Sequence, residues 1–291
     1  MFKSFISINF CFILLVNSFW FMPYAVNANE SSKQKAVTKS QAKLELGVGA
    51  FATQLPQYLG SDQSDSYLVP LPYIYYLDDN IKIDRNQFNG KLFQNKQLYL
   101  DLSASGGIKV NSEDNNARTD MPDLDWVFEL GPSVKYYFSG SPQQNSFFYA
   151  EFFTRKATAT DFHSITNAGW RYGPSSTYQK AFSLADIDQG KGQFEFTTRI
   201  NINFSDDRYL NYYYGVPNQH SQLNRTAYNS NGGYAGSDIS FGLTYRVDSW
   251  WFASFARYYN LSGAVFNESP LIKQNSNWSI GIGASWIFYA K

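Results

Sequence analysis

The sequence predicts an all-β protein: a transmembrane, antiparallel, up-and-down β-barrel of about twelve strands, with about ten as the alternative. Three observations predict it. Apolar and polar residues alternate strictly in segment after segment. A short apolar stretch resembling an export signal heads the chain. Aromatic residues make up 19% of the 291 positions, with 22 Tyr, 25 Phe and 7 Trp.

The alternation is clearest over 278–288. Trp278, Ile280, Ile282, Ala284, Trp286 and Phe288 fall on one face, and Ser279, Gly281, Gly283 and Ser285 on the other. A period of two is the mark of a strand with one apolar face. The mean hydropathy of −0.37 would suit a soluble protein. Tyr and Trp, however, favour the membrane–water boundary, where barrels carry aromatic girdles. After the leader no apolar run approaches the ~20 residues of a membrane helix.

Taken in order, residues 1–28 read as a secretory signal peptide. Lys3 supplies its charge, 5–21 its apolar stretch, and Val26-Asn27-Ala28 its cleavage site. Residues 29–42 are polar and unpatterned, a flexible periplasmic lead-in. The barrel occupies 43–291, with no second domain and no helix after the signal. Strand candidates are 43–54, 66–77, 80–92, 97–108, 126–138, 147–156, 168–181, 192–204, 208–216, 234–246, 249–261 and 276–288. Those at 168–181 and 208–216 carry the weakest pattern.

Four segments fix which residues face lipid. Leu98, Leu100 and Leu102 alternate with Tyr99, Asp101 and Ser103. Trp126, Phe128, Leu130, Val134 and Tyr136 alternate with Glu129, Gly131, Ser133 and Lys135. Phe194, Phe196, Ile200 and Ile202 alternate with Glu195, Thr197, Arg199 and Asn201, and Ile239, Phe241 and Leu243 with Ser240, Gly242 and Thr244. Residues Glu45, Asp101, Glu129, Lys135, Glu195, Arg199, Arg246 and Arg257 then face the lumen, either as a pore lining or as paired charges that fill it.

With the N-terminus in the periplasm, Asp78-Asp79, 205–207 and Val247-Asp248 become inner turns. Segments 55–65, 217–233 and 262–275 become outer loops. Short inside and long outside is the usual asymmetry. The long acidic segment 109–125 falls on the inner side by this count. Pro70 and Pro72 remove two backbone donors from one strand and predict a bulge or a kink at the rim.

Composition excludes several functions. The single cysteine, Cys11, lies in the signal, so the mature chain has no disulfide and no cysteine-held metal. With 24 basic and 24 acidic residues, no basic field exists for nucleic acid. His163 and His220 are the only histidines. His163 stands beside Ser164 and faintly resembles the histidine–serine stretch of lipid A deacylases, but the spacing fails, and a turn histidine is the better reading. His220 reads as a solvated loop residue. Asp62 and Asp65, with Ser61 and Ser64, lack the six to eight oxygens that calcium requires. No cofactor and no catalytic site is expected.

Several blocks together resemble the MipA/OmpV family of outer-membrane proteins. They are Gly47-Val48-Gly49, then Tyr58-Leu59-Gly60-Ser61-Asp62, then Pro70-Leu71-Pro72-Tyr73. Further on come Met121-Pro122-Asp123-Leu124, Glu129-Leu130-Gly131-Pro132, Tyr213-Tyr214-Gly215-Val216 and Ser269-Pro270-Leu271. The resemblance runs from about 46 to 288. It departs at Tyr289-Ala290-Lys291, which follow the aromatic on which such barrels usually finish.

The resemblance implies a non-enzymatic protein of the outer membrane of a Gram-negative bacterium, in contact with its lipid. It also implies a scaffold that brings a lytic transglycosylase together with a bifunctional peptidoglycan synthase. The alternatives are a small-solute channel or a surface antigen or adhesin; an outer-membrane lipid hydrolase ranks last. If the chain is a scaffold, Met121, Pro122, Asp123 and Leu124 are the candidate partner-binding residues. Two would be apolar anchors, set among the acidic residues Glu113, Asp114, Asp120 and Asp125.

Overall fold

The structure is a computed structural model that describes residues 43–77, 81–83, 88–90, 93–95, 97–183 and 192–291. The expected signal peptide, the lead-in and the Asp78-Asp79 turn lie outside the described residues. The chain forms one antiparallel sheet. Its strands are β1 (Lys43–Pro56), β2 (Ser64–Leu77), β3 (Ile81–Ile83), β4 (Phe88–Gly90), β5 (Phe93–Asn95), β6 (Leu98–Gly107) and β7 (Trp126–Ser139). Then follow β8 (Phe147–Thr160), β9 (Ile165–Phe182), β10 (Gln193–Ser205), β11 (Gly233–Val247), β12 (Trp250–Asn260) and β13 (Ser276–Ala290). Among the described residues one α-helix, α1 (Asp207–Tyr214), lies between β10 and β11.

Each long strand pairs with its neighbours in sequence, and β1 pairs with β13, so the pairing joins the two ends of the described chain. The strand order begins at β4 and finishes at β5. β4 lies beside β6, so the sheet curls round to bring its margins together, with no ladder described between them. Tyr289 and Ala290 pair with Leu46 and Glu45, and Leu44 and Lys291 exchange backbone hydrogen bonds. The residues after Phe288 therefore continue the β1–β13 ladder.

The wall is inside-out compared with a soluble protein. On β8, Phe147, Tyr149, Glu151, Phe153 and Arg155 point inward and are buried, while Phe148 and Phe152 face outward. On β13, Ser279 and Ser285 are buried, whereas Ile282 is 66% and Trp278 57% exposed. Hiding a Leu, Ile or Phe side chain from water is worth about 1.5–3 kcal/mol, so this outer face calls for lipid as its solvent. All four clean segments face as the alternation predicts, with Leu100, Leu130, Ile200 and Phe241 among the exposed side chains. Outward aromatics gather toward both rims: Phe138 stacks on Phe148 and Trp250 on Phe252 at one, and Tyr258 meets Trp278 at the other.

Three expectations need correction. The candidate strand 80–92 does not cross the wall. It holds β3 and β4, which pair Ile81 with Gly90 and Ile83 with Phe88 as a small hairpin. Asp84, Asn86, Asn89 and Gly90 are residue types that disfavour one long continuous strand here. One crossing is thereby removed, and β6 to β10 reverse direction relative to the sequence reading; β11 to β13 do not, because 208–216 is not a crossing either. Segment 109–125 consequently shares an end with 57–63, 206–232 and 261–275. The two-residue Asp248-Ser249 turn and segment 140–146 lie at the opposite end.

The candidate strand 208–216 is helix α1, contrary to the expectation of no helix after the signal. Its four tyrosines favour a strand in isolation. Asp206 decides otherwise, because its carboxylate accepts from the Tyr209 N–H at 2.8 Å and caps the helix. Residues 205–207 are thus a helix entry, not an inner turn. The weakly patterned 168–181 segment belongs to β9, which has 18 residues.

Pro70 and Pro72 form no bulge. They pair opposite Ala50 and Val48 in an unbroken register. The two positions fall in the same class of an antiparallel pair, the class that needs no N–H toward its partner.

Candidate functional site

The loop end is closed by a packed plug. Segments 57–63, 109–125 and 261–275 and helix α1 meet there in one buried cluster. Leu210, Phe266, Leu271 and Leu261 are its centre. Tyr214 stacks on Phe266 with ring centroids 3.8 Å apart, and Tyr58 donates its hydroxyl to Leu271 O at 2.7 Å. Gly169 makes room for the helix. Its φ is +102°, and a Cβ there would lie 2.3 Å from the Asp206 carboxylate that caps α1.

Two buried arginines staple the plug through backbone carbonyls. Arg118 donates to Tyr213 O and Pro122 O, each at 3.0 Å. Arg225 donates to Ala117 O at 3.1 Å and Thr119 O at 2.7 Å. Ser61, a calcium candidate by sequence, is instead a buried tie: its hydroxyl accepts from Asn115 and its carbonyl from Asn277. Asp62 is exposed, and Asp65 accepts from Gln57 at 3.1 Å.

Burial sets the ionisation of the plug. It pushes the Tyr58 and Tyr212 hydroxyls up to about 12. It also lowers Arg118, against the opposing pull of Tyr58. Partial burial raises Asp123, but the Ser112 N–H and Lys109 outweigh it and hold the carboxyl below its ordinary range. Lys109 Nζ stands 3.2 Å from that carboxylate.

The four candidate partner-binding residues sit in this plug. Met121 is 7% and Leu124 2% exposed, and both belong to its apolar cluster. They are packing residues at the loop end, not surface anchors beside the short turns. Hairpin β3–β4 is the physical reason, because it turns 109–125 to that end. Pro122 is exposed, and Asp123 is tied to Lys109 and to the Ser112 N–H.

Below the plug the lumen carries paired charges. Lys135 bonds Asp101 at 2.7 Å, Arg199 meets Glu151, Arg246 meets Glu45, and Arg257 bonds Asp238 at 2.9 Å. Glu129 lies between Arg155 at 3.7 Å and Arg171 at 3.6 Å, and Asn203 links Arg171 to Asp238. Near the turn end Tyr99, Tyr137, Phe147 and Tyr149 pack together inside the wall. The predicted lumen set lies inward as expected, including Glu195 on the inward face of β10.

Sequence reasoning missed Glu151, Arg155, Arg171 and Asp238. On β8 aromatics occupy both faces, so parity gives no sign there. A register shift beside Ala157 hides it again for β9.

Among the described residues, the bonds given for the two histidine rings are to a backbone carbonyl and to a glutamine amide. The His163 ring lies 3.3 Å from Asp161 O, and Ser164 Oγ meets the Asp161 carboxylate at 3.1 Å, not the imidazole. The Ser164 and His163 N–H groups draw the exposed Asp161 carboxyl down to about 2. His220 sits in a short loop turn, where its carbonyl accepts from Arg225.

Residues 46–288 match the family described as MltA-interacting protein MipA. The chain belongs to that family. The match covers the plug and all the lumen charges named except Glu45, and with the inside-out wall it makes the chain an outer-membrane β-barrel protein. No curated protein matches significantly. Two solved structures are similar at low level. The CymD monoaromatic hydrocarbon channel is 11% identical, with 87% of this chain and 90% of that chain covered and a TM-score of 0.30. A Pseudomonas aeruginosa FadL homologue is 8% identical, with 85% and 90% covered and a TM-score of 0.28. At such scores neither bears on the function of this family member.

Proposed function

We propose that this chain is a closed-mouth outer-membrane barrel that docks periplasmic peptidoglycan enzymes. The first partner is a lytic transglycosylase of the kind recorded in the family's name, and the second a bifunctional synthase. One observation carries the reading: the mouth is filled by a packed, hydrogen-bonded plug above a lumen whose charges are paired. Such an interior favours anchorage over conduction, since permeation needs a polar path with vacant coordinating groups. The asymmetry of outer-membrane barrels puts the plug outside and the short turns in the periplasm. The docking surface then falls on the turn rim, where Gln143, Gln144 and Asp248 are exposed, and not on Met121–Leu124.

The test uses the full-length chain in lipid nanodiscs and in planar bilayers. The expected result is saturable binding of a purified lytic transglycosylase, weakened by bulky substitutions at Gln143 and Asp248, with no stepwise conductance. Steady channel currents without enzyme binding would replace this reading with a small-solute channel.

A further inference from the structure

Two lysines stand on the lipid-facing side of the wall. Among the described residues of the long strands, Lys156 on β8 and Lys180 on β9 are the only charged side chains at exposed positions. Lys156 shares the outward face of β8 with Phe148 and Phe152, and Lys180 that of β9 with Trp170 and Tyr178. Among the described residues neither has a hydrogen bond or an ion pair. We propose that Lys156, with Trp170 beside it, binds a phosphate of an outer-leaflet glycolipid of the lipid A type, an acylated disaccharide carrying phosphate monoesters. The choice of leaflet rests on the outward placing of the plug given above; the phosphate chemistry does not.

Both lysines lie in aromatic belts. At the turn end Phe182, Phe194, Tyr245, Phe252 and Trp250 form a row of stacked rings across β9 to β12. Lys180 comes two residues before Phe182 and stands opposite Phe196. At the loop end Tyr172 stacks on Phe204, which meets Tyr234 edge-on. Lys156 stands opposite Trp170, two residues before Tyr172. Such belts mark the level of the lipid headgroups. From Trp170 to Lys180 the chain advances ten residues along β9. At ~3.4 Å per residue and a tilt of ~40°, this is a rise of about 26 Å, close to the ~25 Å height of a barrel's apolar band. The two lysines therefore frame that band, one at each edge.

A cation facing lipid is costly at mid-depth and tolerated at the interfaces, where a lysine lays its stem along apolar surface and carries its ammonium to the headgroups. Leu130, opposite Lys156 on β7 and 47% exposed, supplies that surface. The anion at this level of a membrane is phosphate.

Trp170 adds a second donor. Residues directly opposite on antiparallel strands have Cβ atoms about 5 Å apart. An indole N–H donates and never accepts, and among the described residues nothing accepts from this one. An ammonium and an N–H side by side match two oxygens of one phosphate. Lys180 has Phe196 opposite and no such neighbouring N–H, so the loop-end lysine is the specific site. A monoester, with about −1.5 to −2 charges near pH 7, attracts this pair more strongly than the single charge of a phospholipid diester.

The experiment is native mass spectrometry of the folded full-length chain in detergent, titrated with lipid A, with lipid A stripped of both phosphates, and with phosphatidylglycerol. One lipid A should bind at least fivefold more tightly than either of the others. Lys156→Gln should weaken lipid A about fivefold, and Lys156→Arg should stay within twofold of the original chain. Trp170→Phe should weaken it about threefold, and Lys180→Gln should leave it unchanged. Lys156→Gln removes a charge from the lipid face, so the barrel should assemble at least as well, which faster gel mobility before heating checks. Equal lipid A binding by Lys156→Gln and the original chain would overturn the proposal. So would equal binding of the dephosphorylated lipid, or a loss seen with Lys180→Gln and not with Lys156→Gln. Binding in detergent needs neither a docked enzyme nor a known orientation, so failure of the docking reading leaves this result standing. If labelling of intact cells puts the plug end in the periplasm, the glycolipid assignment falls whatever the detergent result.

Discussion

The Tyr209 hydroxyl donates to Glu129 Oε1 at 2.8 Å. This bond joins the plug helix to the barrel wall, since Tyr209 belongs to α1 and Glu129 to β7. Burial first, and the neighbouring carboxylate next, raise the phenol far above its ordinary range, so it stays a donor at any physiological pH.

Replacing Tyr209 with Phe keeps the ring and removes that donor. A buried carboxylate oxygen then loses its partner, at a cost of about 1–3 kcal/mol. Protease cleavage within α1 should rise, while the barrel itself still forms. The check is limited proteolysis of the purified variant, and an unchanged digestion pattern would show that the bond does not hold the plug.

The end assignment can be tested by labelling. The only cysteine of the sequence is Cys11, so single introduced cysteines report cleanly. Glu113→Cys, on the exposed tip of 109–125, should react with an impermeant maleimide on intact cells. Ser249→Cys, in the β11–β12 turn, should react only after the outer membrane is permeabilised. The opposite pattern would restore 109–125 to the periplasm.

The two faces of the wall should differ in tolerance to charge. Leu100→Arg turns a cation toward lipid and should cost about 2–4 kcal/mol near the bilayer centre. Thr197→Arg turns one toward the lumen and should cost less. Ser103→Arg is the worse lumen probe, because Ser103 already accepts from Arg155 at 2.9 Å and a second guanidinium would face the first. Assembly is read from gel mobility: a closed barrel runs faster unheated than boiled.

Acid should loosen the plug late. The Asp123 carboxyl is held below its unfolded value, so its contribution is complete above the ordinary carboxylate range of about 4 and fades as pH falls through the lower folded value. Protease resistance of 109–125 should therefore stay flat from pH 8 to about pH 5 and fall only in stronger acid. Asp123→Asn should abolish that acid step. The side chain is 37% exposed, so solvent screening keeps the effect modest.

The wall was legible in the sequence because parity is a local property. Wherever one face was uniformly apolar, as at 98–104 or 278–288, facing followed directly. It failed where both faces were aromatic, as on β8, and where a segment's fate depended on its surroundings. The tyrosines of 208–216 carry strand preference, yet a cap at Asp206 and burial against Phe266 made a helix of them. The end of the barrel on which Met121 to Leu124 stand turned on a single count. Once 80–92 ceases to be a crossing, the side of 109–125 reverses, although no residue within 109–125 changes its local reading.

Pairing of β1 with β13 fixes the order in which the protein can be made. Leu46 finds Tyr289 only after nearly the whole chain has been synthesised and exported. Contacts so distant in sequence are slow to form, because the entropy of closing the loop is lost before any contact offsets it. Until then β1 has no partner on that edge, and such an edge recruits strands from other molecules. A carrier that keeps the exported chain apart from its neighbours is therefore as much a requirement of this architecture as any residue in it.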